Sequence, residues 1–133
     1  MSSIQARLAA VMLLSAAVSG VCSGEGMAAK VEAIAGMQFR MGASAAREER
    51  RAAIELGRTI RNDGRATAEA ARLLGTSRLP KIRSTAAIAL LAAGGDAAFE
   101  ALASAALNDD SCGVRRIIAR GLPAFGEAEA LDE

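Results

Sequence analysis

Residues 80–126, PKIRSTAAIALLAAGGDAAFEALASAALNDDSCGVRRIIARGLPAFG, decide the fold. Pro80 stands where a helix starts, because its missing N–H is one that the first turn leaves unbonded. Ile82, Ala86, Leu90 and Ala93 then recur at helical spacing. Thr85 to Ala93 is apolar on nearly every side, which predicts a helix covered by its neighbours. Gly94-Gly95 breaks that helix, and Asp96 is the expected cap of the next. There Phe99, Leu102 and Ala106 are expected to face inward, with Asp96, Glu100 and Ser104 opposite. Asn108-Asp109-Asp110-Ser111 reads as a polar turn. Val114, Ile117, Ile118, Leu122 and Phe125 form the last inward stripe, while Arg116 and Arg120 point out together. Pro123 cannot donate to the carbonyl of Ala119, so this helix should kink or loosen there.

The unit is partly repeated. Ile82-Arg83, Ala87, Leu90 and Gly94 match Val114-Arg115, Ala119, Leu122 and Gly126, each 32 residues further on. A repeat of about that length made of helix pairs marks an α-solenoid. An earlier copy is visible at Ala52-Ala-Ile-Glu-Leu56, which matches Ala86-Ala-Ile-Ala-Leu90. It belongs to a helix expected over 44–60, capped by Ser44, with Ala53, Leu56, Gly57 and Ile60 as its apolar stripe. Glu48, Arg51, Glu55 and Arg58 run along its other side at spacings that allow intrahelical ion pairs. Asn62-Asp63-Gly64 is a turn. A helix over 65–74 follows, with Ala66, Ala70 and Leu73 inward and Gly75 as its stop. Upstream, residues 25–39 read as a helix with Val31 and Ile34 on one side and Lys30 and Glu32 elsewhere. Met37, Phe39 and Met41 are expected to plug the first layer of the core.

The whole chain of 133 residues is 52% hydrophobic, with much Ala, three Phe, no Trp or Tyr and two prolines. Small side chains suit closely packed helices, and β-branched runs are scarce, so the expected fold class is all-α: a solenoid of about three stacked antiparallel helix pairs. A net charge of +1 carries no global signature for nucleic acid. Its distribution is uneven: residues 40–83 hold eleven Lys/Arg against five acids, and residues 96–133 hold three Arg against eight. Without histidine, and with Cys22 and Cys112 standing alone, the sequence offers neither a zinc site nor a Cys–His dyad. No catalytic or cofactor-binding residue is identified.

Residues 1–24 read two ways. Arg7, the fourteen-residue apolar run Leu8–Val21 and small residues through Gly24 follow the order of a secretory signal peptide, which would place the protein outside the cytoplasm. Alternatively Ala9-Ala-Val-Met-Leu-Leu-Ser-Ala16, which resembles Ala86–Ala93, is the second helix of a degenerate repeat in a cytoplasmic protein. The run is too short to span a membrane. The solenoid then occupies residues 25–133, its last repeat incomplete.

At Asn108–Gly126 the chain resembles HEAT repeats, in particular the short bacterial kind also seen in phycobilisome lyases. The acid-containing turn, Val114-Arg115, Ala119, Leu122 and Gly126 carry the resemblance. In the preceding copies Ser77 and Ala45 stand in the acid's place. The resemblance implies a right-handed stack of helix pairs, a structural turn–helix pair at Asp109 and Arg115, and a protein-binding or scaffold role. Candidate partner-binding positions are Arg51, Glu55, Arg58, Ser84, Arg116 and Arg120. A second function is binding of a nucleic-acid backbone through residues 40–83; a third is an accessory subunit of a lyase-type enzyme. Apolar solenoid ends suggest self-association or a partner over the C-terminal end.

The two readings of the N-terminus separate on intact mass. In a bacterial host, the periplasmic product is expected to lack about 20–24 N-terminal residues; a full-length cytosolic product instead makes residues 4–18 part of the solenoid.

Overall fold

A helix that is apolar on all sides needs partners on all sides, and Pro80–Ala93 has them. The computed structural model describes residues 26–37 and 46–132. Those residues form seven α-helices and no strand: α1 Met27–Ala35, α2 Ala46–Ile60, α3 Gly64–Thr76, α4 Pro80–Ala93, α5 Asp96–Asn108, α6 Cys112–Gly121 and α7 Ala128–Leu131. Helix α4 touches each of the other six. Ala86, Ala87, Ala89, Leu90 and Ala92 are fully buried within it. The helices fall into two rows, α2–α4–α6 and α1–α3–α5, with α1 also resting on α2 and α4. The expected signal peptide, the Ser44 cap and the core roles of Phe39 and Met41 lie outside the described residues.

Local signals set most helix ends. Pro80 is the first residue of α4. The Asp63 carboxylate accepts from the Ala66 N–H at 3.1 Å, and the Ser111 hydroxyl accepts from the Val114 N–H at 3.3 Å, capping α3 and α6. Glu48 and Glu49 open α2 and Arg58 closes it, as the helix dipole favours. Gly94 and Gly126, the matched glycines of the repeat, both take positive φ (74° and 79°), which side chains resist. They face each other, and the Gly126 N–H donates to the Leu91 carbonyl at 2.7 Å. Helix α6 ends at Gly121 and passes into a 3-10 turn, Leu122–Ala124, where Pro123 removes a donor.

Several expectations change. Lys30 is buried rather than turned away from the core. In α3 Ala70 is fully buried as expected and Ala66 and Leu73 are half-buried against the core, but the buried face centres on Thr67, Ala70 and Leu74. Thr67 is apolar enough to bury because its hydroxyl donates to the Ile60 and Asp63 carbonyls (3.3 and 3.0 Å). Gly75 does not stop α3. The helix runs on to Thr76, whose hydroxyl donates to the Arg72 carbonyl at 2.7 Å. Asp96 is the first residue of α5 and the cap position is Gly95, with φ 94°. Phe99 is 49% exposed, while Ala98 and Leu102 take the core positions. Its ring meets Phe125 edge to face, with centroids 5.5 Å apart.

Close approach of α2 to α4 depends on Gly57. A Cβ there would sit 2.5 Å from the Ala92 Cβ and collide with the Ala89 carbonyl oxygen. Gly57→Ala is therefore expected to destabilise the protein by about 1–3 kcal/mol in denaturant unfolding. Gly75→Ala, at a helical position with open space around it, should be neutral or slightly stabilising.

Candidate functional site

Arg83 is a buried, multiply bonded charge that organises the ends of four helices. Its side chain is 8% exposed and that of Asp109 is 5% exposed. Arg83 Nε and Nη2 donate to the two Asp109 carboxylate oxygens at 3.0 and 3.1 Å. Nη2 also reaches Asp110 at 2.6 Å, and Nη1 donates to the Ser77 carbonyl at 2.9 Å. Asp109 further accepts from the Ser111 N–H at 2.9 Å. One guanidinium thus ties the end of α3 and the start of α4 to the turn between α5 and α6. Burial pushes the Asp109 carboxyl up, but hydrogen bonds from Arg83 and Ser111, with the Arg83 charge, outweigh it and hold the group below the usual carboxylate range. The hydrogen bond with Asp109 raises Arg83 further still, against the opposing effect of burial.

Asp109 and Arg115 do touch, as the repeat pattern implied, but the carboxylate is not the contact. Arg115 Nη1 donates to the backbone carbonyl of Asp109. This reproduces the bond from Arg83 to the Ser77 carbonyl, each arginine reaching six residues back. The carboxylate itself crosses to Arg83, in the preceding unit. The resemblance to HEAT repeats implied the Asp109–Arg115 pair; the signal for the Arg83 contact, which it did not give, was the matched positions of Arg83 and Arg115.

A groove of about 220 Å³ runs along the α2–α4–α6 row. Ala53, Ile88 and Ile117 give it an apolar lining, and Glu49, Arg50, Lys81 and Ser84 a polar one. The Lys81 ammonium donates to Glu49 at 3.1 Å across it. Of the positions singled out from sequence, only Ser84 lines this groove. Arg116 and Arg120 are exposed on α6. Arg51 pairs with Asp132 at 3.2 Å, and Glu55 pairs with Arg58 at 3.7 Å on the exposed side of α2. These residues therefore do not converge on one point. A wider, open groove of about 710 Å³ lies between α3 and α5, but Arg83, Asp109 and Asp110 in its lining are bonded to one another.

The basic segment is largely engaged within the chain. Arg50 donates to the Leu131 carbonyl at 3.2 and 2.8 Å. Arg61 donates to the carbonyls of Ala92 and Gly126 at 3.0 and 2.8 Å, and Arg65 lies 3.9 Å from Glu69. Among the described residues no group of three or more His, Cys, Asp or Glu is placed to hold a metal ion, and no helix is long and apolar enough to cross a membrane. Cys112 is an exposed free thiol at the start of α6.

Asp109→Ala leaves a buried guanidinium without its main counter-charge and is expected to cost about 3 kcal/mol in urea unfolding. Because the folded carboxyl is held below its unfolded value, its contribution is complete above the ordinary carboxylate range and is lost as pH falls through the depressed value. The wild type should therefore lose more stability than Asp109→Ala between neutral and strongly acidic pH. No protein-family model, curated protein or solved structure matches the chain.

Proposed function

We propose that the chain is a stack of about three HEAT-like helix pairs serving as a non-catalytic protein-interaction module. The observation that carries this reading is the doubled arginine-to-carbonyl bond, Arg83 to Ser77 and Arg115 to Asp109, in units 32 residues apart that also bring Gly94 against Gly126. Recurrence of a local device at fixed spacing is what a stacked repeat produces, and stacked repeats bind through the surface of one row of helices. The groove on the α2–α4–α6 row has such a place. At about 220 Å³ it is smaller than a typical small-molecule pocket, and its mixed lining suits protein side chains. With the N-terminal segment read as a signal peptide, the partner is a protein met outside the cytoplasm. Binding of a nucleic-acid backbone through residues 40–83 is the weaker reading, because Arg50, Arg51, Arg61 and Arg65 already have partners in the chain. An accessory role beside a lyase-type enzyme rests on resemblance alone.

The test compares capture of partners from the native host's extract by wild type, Ser84→Arg and Arg116→Glu/Arg120→Glu, all at exposed or half-buried positions. A specific partner should be lost from at least one variant, with thermal unfolding unchanged. Every partner remaining bound to both variants would refute the reading. Salt-sensitive retention of the wild type on duplex or single-stranded DNA would favour nucleic acid instead.

A further inference from the structure

The chain shows, in its own packing, what the outer face of a helix pair receives. Helices α5 and α6 lie on α3 and α4, and their turn brings Asp109 and Asp110 to Arg83. In the α3–α4 pair Thr67, Ala87 and Leu91 are 7%, 0% and 2% exposed. Leu91 lies so close to Gly121 that a Cβ there would collide with it. Moving each position on by 32 residues gives the same face of the α5–α6 pair: Phe99, Ala119 and Pro123, all of them exposed, and Arg115 in the place of Arg83. Leu107, 81% exposed, matches Gly75, which lines the groove between α3 and α5. The positions buried in one pair are thus open in the next, and they are mostly apolar. Arg115 already makes the carbonyl half of the Arg83 node. The carboxylate half is what a covering element would supply.

We infer that the α5–α6 face docks a helix pair of a partner protein whose connecting turn presents a carboxylate to Arg115. This rests on the reading of the protein as an interaction module and specifies one of its surfaces. Charge decides the occupant. A second copy stacked in the same sense would offer Ser77 or Ala45 where Asp109 stands, and neither is an acid. The apolar face accepts helices of many kinds, whereas a half-buried arginine requires an anionic partner as water is excluded.

The probe is a synthetic peptide copying residues 95–126 of this chain, with Cys112→Ser, offered to the full-length protein. The full chain carries Cys22→Ser, Cys112→Ser and Ala119→Cys, so that a thiol reagent reports on the face. Peptide should bind saturably by fluorescence anisotropy and slow modification of the thiol introduced by Ala119→Cys. Arg115→Leu or Leu107→Glu in the chain, or Asp109→Asn/Asp110→Asn in the peptide, should each weaken binding by about tenfold or more. Three results overturn the inference. One is no saturable binding. Another is binding that survives Arg115→Leu and leaves the thiol unprotected, which means the peptide has replaced the chain's own α5–α6. The third is a dimer of the wild-type chain in sedimentation that Leu107→Glu dissolves, which gives the face to a second copy. Loss of partners in the Ser84 or Arg116/Arg120 variants would still stand in each case, so the module reading and this surface fail separately.

Discussion

Helix α4 is packed from every side, and that constraint determines its composition. Six neighbours can approach one helix only if its side chains are short, and alanines at 86, 87, 89, 92 and 93 are buried against them. The same constraint reaches into the neighbours. Gly57 is needed where α2 meets Ala89 and Ala92, and Gly121 where α6 meets Leu91. Close helix contact through small residues gains many short-range dispersion contacts at little cost in side-chain entropy. It also leaves large side chains few places to go, so Leu56, Leu74, Leu90, Leu102 and Ile118 fill the spaces between helices.

Alanine faces bury surface but specify register poorly, because one alanine resembles the next. The Arg83 node supplies what they lack. Its guanidinium engages Ser77, Asp109 and Asp110 together, and sliding α5–α6 along α3–α4 by one turn would leave Arg83 and Asp109 buried without each other. A buried ion pair contributes little net stability against an apolar replacement, yet losing one member is costly. We regard the node as a register device for this reason. The contact of Gly94 with Gly126 and the Gly126 N–H bond to Leu91 act to the same end at the opposite end of α4.

The sequence was most readable where periodicity alone decides. All-round apolarity predicted the burial of α4, and the stripe Ala53, Leu56, Gly57 and Ile60 is the buried face of α2. It was less readable where a polar group is satisfied internally. Thr67 looks like a surface residue until its carbonyl acceptors are known, and it joins Ala70 and Leu74 on the buried face of α3 while Ala66 and Leu73 stay half-buried. Phe99 looks like core, but Ala98 and Leu102 take the core positions of α5 and the Phe99 ring, half exposed, rests on Phe125. The site was partly legible. The resemblance pointed to Asp109 and Arg115, while the partner of the Asp109 carboxylate lies 26 residues away, beyond the reach of a local motif.

The uneven charge distribution follows from the same long-range pairing. Basic residues are concentrated in 40–83 and acids in 96–133, which on sequence alone suggests a polyanion partner. Folding brings the two segments together. Arg51 meets Asp132, and Arg83 meets Asp109 and Asp110; Arg50 and Arg61 hold the carbonyls of Leu131 and Gly126, while Lys81 pairs with Glu49 inside the basic segment. The basic half therefore binds the acidic half of its own chain, fixing α7 onto α2 and the α5–α6 turn onto α4. Each exposed pair contributes little, but contacts between residues 81 apart close a long loop and fix where the last helix sits. Arg115, Arg116 and Arg120 lie in the acidic half, outside this set of contacts between segments. Net segment charge is thus a poor guide to which charges stay open: Arg116 and Arg120, in the acidic half, are exposed on α6.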